Sequence, residues 1–139
     1  MVHALDEIRR TLKPNGILID LRPVEDNWRV EINSSTGNQS AGRLNDMPMG
    51  VADDEAAFKA MREAESRRWY IKEKEEEFVF FYYWDTPSEM KTFMEEEWED
   101  FEKMEEGVYR AAQSLWAQAN ADARVRVRVK MLITRWKKL

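Results

Sequence analysis

The sequence predicts an α/β fold with a mixed sheet, and three observations carry that reading. Val2, Leu5, Ile8 and Leu12 recur at the spacing of one helical face. The runs ILIDLR (17–22), WRVEIN (28–33), FVFFYYW (78–84) and RVRVRVKMLI (124–133) are apolar or alternate with period two, as strands do. Helix-forming stretches with recognisable caps separate several of these runs. A chain of 139 residues suits one compact domain, so residues 1–139 are read as a single unit with a real core.

Each element has its own reason. The first helix stops at Pro14, and Asn15 or Gly16 supplies the left-handed residue at its end. Strand 17–22 follows, ended by Pro23. WRVEIN alternates as a half-buried strand, and SSTGNQ around Gly37 turns it back on a short partner near Ala41 to Leu44. From Asp53, a good helix cap, Phe58, Met61 and Ala64 line a helix to about Arg68.

Residues 70–84 read as one long strand. Its first half, IKEKEEEF, is polar on both faces. Its second half, FVFFYYW, is apolar on both and is therefore expected to be covered on both, with FYYW as core. Thr86, Pro87 and Glu89 then supply a cap, a first-turn proline and a capping-box carboxylate. A long helix is expected from Thr86 to Ala119, with Gly107 as a point of kinking. In the last strand, 124–134, the valines form a core face and the cations a wet or carboxylate-paired face. Glu73, Glu75 and Glu77 share its period, so they are expected to face Arg124, Arg126 and Arg128.

The segment LDEIRRTLKPNGILIDLRP, from Leu5 to Pro23, resembles a piece of the class I S-adenosylmethionine-dependent methyltransferases. There a helix ends in a Leu-Lys/Arg-Pro-Gly-Gly turn before the fifth strand; here the turn is Leu12-Lys13-Pro14-Asn15-Gly16. The resemblance implies the C-terminal half of that fold. Strands 17–22 and 70–84 would be parallel, and the last strand would run antiparallel between them. The hairpin at 28–44 and the long helix would be insertions. The family holds its cofactor through a Gly-rich loop, and the five glycines here include no G-x-G. No cofactor is therefore expected, and the chain alone should not bind S-adenosylmethionine.

Composition narrows the rest. A net charge of −5 argues against nucleic acid. Without cysteine and with His3 as the single histidine, a thiolate, zinc or nucleophile–histidine site is not expected, and neither catalytic nor metal residues are assigned. The acidic run Glu95–Glu106 reads as a solvated helix face. No apolar run spans a bilayer and no leader is apparent, so a cytoplasmic protein without membrane contact is expected. Ligands gather at the carboxyl ends of strands in open α/β sheets, which makes Asp20, Arg22, Trp84 and Asp85 the candidate ligand rim. The alternative there is that Asp20 and Arg22 satisfy local groups.

The functional expectation is a non-catalytic, methyltransferase-derived protein that acts by self-association, as a homodimer, or by partner binding. Two rivals stand beside it. One is a subunit of a split methyltransferase completed by a separately encoded cofactor-binding chain. The other is a small polar-ligand binding domain.

Overall fold

Leu5 is the anchor of the first helix: it is buried, while its neighbours on the outer face carry charge. The computed structural model describes all 139 residues. In chain order the elements are α1 (Val2–Thr11), β1 (Ile17–Pro23), β2 (Arg29–Ser34), β3 (Gly37–Arg43), β4 (Asn45–Asp46), α2 (Pro48–Ser66) and β5 (Tyr70–Trp84). Then come α3 (Pro87–Glu97), β6 (Glu102–Lys103), α4 (Glu106–Gln118) and β7 (Arg124–Lys138). The chain is α/β with four helices, and its sheet is antiparallel and not mixed as expected, because β7 lies between the two strands that run the same way, β1 and β5. Contacts group it into two compact units, each built on part of β5 and part of β7.

The first unit comprises residues 1–24, 52–78 and 131–139. Asn15 takes φ 62°, the left-handed turn that the Pro-Asn-Gly sequence predicts. β1 then pairs antiparallel with β7, Ile17 opposite Lys137 and Pro23 opposite Met131. β5 also pairs with β7. Glu73 meets Arg135 at 2.8 Å and Glu75 accepts a hydrogen bond from Thr134 at 3.3 Å, so the two strands run in opposite directions. β1 and β5 are therefore parallel but do not pair; β7 separates them. One sheet face packs Leu18 and Trp136 against Leu5, Ala60, Met61, Ala64 and Tyr70. The buried Tyr70 hydroxyl donates to the Leu5 carbonyl at 2.8 Å, which ties the strand to α1. On the opposite face, Ile19 and Leu21 stay about half exposed.

The second unit comprises residues 25–51 and 79–130. β2 and β3 form the hairpin expected around Gly37, which sits at φ +128°. The register shifts between Val30 and Glu31, leaving Ala41 as a bulge. The hairpin docks by β2 on the first half of β7, Arg29 opposite Arg128 and Asn33 opposite Arg124. Gly42, at φ +130°, allows α4 to lie close: a Cβ there would meet Val108 Cγ2 at 2.9 Å. Val30, Ile32, Val125, Val127 and Val129 make the sheet side of the core, with Met90, Met94 and Ala112 from α3 and α4.

Three further expectations need correction. The helix from Thr86 to Ala119 is two helices. Thr86 caps α3 as predicted, its Oγ1 accepting from the Glu89 N–H at 3.2 Å. The helix ends at Trp98, whose carbonyl accepts from the N–H groups of both Phe101 and Glu102 in a tight turn. Trp98 thereby enters an aromatic group with Trp28, Tyr82, Trp84 and Phe93, at centroid distances of 5.1–6.1 Å. That packing, and the crowding of like charges in the Glu-rich run, outweigh helix continuation. Gly107 lies in the first turn of α4 and is not the break.

The register of the acidic strand also differs. Arg124 pairs with Asp85 at 3.3 Å and Arg126 with Glu31 at 3.0 Å, whereas Glu73 pairs with Arg135. Shared period two left the offset between the strands open, and the aromatic half of β5 decides it. Arg126 lies 4.2 Å over Phe81 and Arg124 4.8 Å over Tyr83, so the cations stack on rings instead of reaching Glu73, Glu75 and Glu77.

Finally, FVFFYYW is not covered on both faces. Every residue from Ile71 to Phe80 is exposed, and Tyr82 and Tyr83 are each 38% exposed. The core reading of FYYW holds in part for Phe81 and Trp84, which are half-buried.

Candidate functional site

Of the four rim residues, Asp20 and Arg22 lie in the first unit and Trp84 and Asp85 in the second. Asp20 and Arg22 alternate onto the same side of β1, and Arg22 Nη2 donates to Asp20 Oδ2 at 2.5 Å. The Arg22 guanidinium also lies 4.7 Å over the Phe58 ring. Trp84 stacks on Tyr82 and meets Phe93, and Asp85 holds Arg124. The local pairing weighed for Asp20 and Arg22 is thus present. Arg22 nevertheless lines a cavity of about 200 Å³ within the first unit, with Phe58, Thr134 and Trp136.

The second feature is the β5 surface. β5 pairs with β7 alone, and Phe78, Val79 and Phe80 are 41%, 42% and 48% exposed. Seven uncharged residues, Phe78 to Trp84, lie between Glu77 and Asp85. Soluble folds normally protect such an edge with charge, proline or a covering element.

The third is a carboxylate group in the second unit that sequence reading missed. Glu25, Asp46 and Glu102 bring carboxylate oxygens within 4.8 Å of one another. Asn27 places Asp46: its N–H donates to Asp46 Oδ1 at 2.9 Å, and its own Oδ1 accepts from the Asp46 N–H at 3.2 Å. The β4–β6 pair brings Asp46 opposite Glu102. Gly50 leaves room for Glu25, since a Cβ there would meet Glu25 Oε1 at 2.9 Å. Glu102, read from sequence as part of a solvated face, is buried, and it also lines a cavity of about 300 Å³ with Met47, Met94 and Met104.

Burial, then hydrogen bonding to Glu102 and Asp46, pushes the Glu25 carboxyl up to about 10. At neutral pH Glu25 is therefore protonated and shares its proton with its neighbours. Three carboxylates are the oxygen ligands a hard cation takes, and the proton on Glu25 relieves their repulsion when no cation is bound. No sequence motif announces this group, because its members come from a loop and two two-residue strands far apart in the chain.

No known protein family, curated protein or solved structure matches the chain. No helix is long and apolar enough to cross a membrane.

Proposed function

We propose that this chain is a non-catalytic, cytoplasmic α/β protein that acts by self-association, with β5 as the seam between two copies. The observation that carries the reading is the exposure of Phe78, Val79 and Phe80 on a strand with a single pairing partner. A two-fold axis between antiparallel strands pairs residues of the same parity, because it preserves the two faces of the sheet. An axis at Phe80 sets Phe80 against its own copy, Val79 against Phe81 of the partner subunit and Phe78 against Tyr82 of the partner subunit. Those are aromatic and β-branched pairs, the favourable cross-strand combinations. An axis at Phe81 would instead set Glu77 against Asp85 of the partner subunit, next to the paired aromatics; the axis at Phe80 sets Asp85 of the partner subunit against Glu75, whose charge Lys72 already offsets at 3.2 Å. The segment is self-matching, and this selects a second copy as the occupant.

A methyltransferase-like origin is part of the same proposal. The strand order β1–β7–β5, with β7 antiparallel, supports it, as does the Leu12–Gly16 turn.

Light scattering coupled to size exclusion tests the seam. The chain should elute at twice its 16.6 kDa mass at tens of micromolar. Phe80→Glu places two carboxylates face to face on the axis and should give the 16.6 kDa species. A monomeric wild type, or a dimer that Phe80→Glu leaves intact, contradicts the proposal.

A further inference from the structure

Three donors in the first unit have no acceptor. Nε and Nη1 of Arg22 and Nε1 of Trp136 are buried without hydrogen-bond partners. Leaving such groups unpaired costs on the order of 1–3 kcal/mol each, more for a charged one, so native folds rarely tolerate three together. Arg22 and Trp136 line the same cavity of about 200 Å³. Arg62 and Lys72 line it as well, so three cations surround it.

The carboxylates at the cavity do not serve these donors. Asp20 engages Arg22 through Nη2. Glu75 lines the cavity but is engaged by Lys72 at 3.2 Å and by the Thr134 hydroxyl. Glu65 also lines it and is exposed, while the three donors are buried. All the unpartnered atoms here are donors, so the complement is a group that only accepts. The ring of Phe58 beneath the guanidinium and the ion pair with Asp20 hold Arg22 in place, which lowers the cost of ordering it on binding.

We infer that this cavity is a binding site for a small oxyanion, a carboxylate or a phosphate, held by Arg22 and Trp136 with Arg62 supplying positive charge. Its volume admits a ligand of a few heavy atoms and excludes a nucleotide, since drug-sized pockets begin at about 300 Å³. The site lies wholly within the first unit and does not depend on the β5 seam.

Titration calorimetry with inorganic phosphate, acetate and succinate in a chloride-poor buffer tests it. At least one of the three should bind saturably, with Kd at or below about 10 mM. Arg22→Gln should weaken that binding at least about tenfold, the usual loss for a hydrogen bond to a charged group. Trp136→Phe keeps the ring, removes the one N–H, and should weaken it several-fold; it decides the matter if Arg22→Gln does not fold. Binding of phosphate alone assigns phosphate chemistry, and binding of acetate or succinate assigns carboxylates. Phe80→Glu should leave the affinity unchanged, which separates this site from the seam. No saturable binding of any probe, or unaltered affinity in both site variants, overturns the inference.

Discussion

Arg126→Ala should destabilise the fold by about 3–5 kcal/mol, the usual cost of removing one partner of a buried ion pair. Arg126 and Glu31 are opposite one another on β7 and β2, both buried, with Nε to Oε1 at 3.0 Å. The same guanidinium donates through Nη1 to the Tyr83 hydroxyl at 3.2 Å and stacks on Phe81. Alanine leaves the Glu31 carboxylate buried beside apolar atoms and strips the cation from two rings. Replacing both partners, Glu31→Met with Arg126→Leu, removes the charge imbalance and should recover most of the loss. Urea unfolding monitored by tryptophan fluorescence reads both. A loss below about 1 kcal/mol in the single variant would mean that the pair is solvated and not buried.

Raising the pH should weaken the protein, and Glu25 should be the reason. In the folded chain Glu25 keeps its proton up to about pH 10, whereas the unfolded chain releases it near 4.5. Between those values the unfolded state binds fewer protons, so stability falls as pH rises. The slope cannot exceed about 1.4 kcal/mol per pH unit for one group, and proton sharing with Asp46 and Glu102 makes it smaller. Glu25→Gln keeps a hydrogen-bond donor and cannot ionise. It should be near neutral at pH 5 and stabilising by on the order of 1–3 kcal/mol at pH 8. Melting curves across that range check the sign: a wild type that gains stability toward pH 8 would contradict the raised pKa.

How far the sequence could be read depended on whether the deciding interaction was local. The bounds of β5, Tyr70 to Trp84, follow from the β-propensity of its aromatic half and agree with the structure. So do the Thr86 cap, the Asn15 turn and the hairpin around Gly37, each fixed within a few residues. The split between α3 and α4 was not legible. It depends on Trp98 reaching Trp28 and Tyr82, and on residues 102–103 pairing with 45–46.

The register of β5 on β7 failed for the same kind of reason. Charge period alone could not tell Arg124 from Arg135 as the partner of the acidic half. At the candidate sites, Arg22 was legible as a charged residue near a strand end. Its partners Trp136 and Lys72 come from distant strands and were not. Glu25, Asp46 and Glu102 carry no spacing signal at all, and Glu102 was hidden inside a run of surface-like glutamates.

The β5 seam is tested most directly by an isotope-filtered NMR experiment on a mixture of labelled and unlabelled chains. An axis at Phe80 predicts contacts between Val79 of one copy and Phe81 of the partner subunit, and between the two Phe80 rings. A dimeric mass without those intermolecular contacts, or contacts confined to other strands, would contradict it.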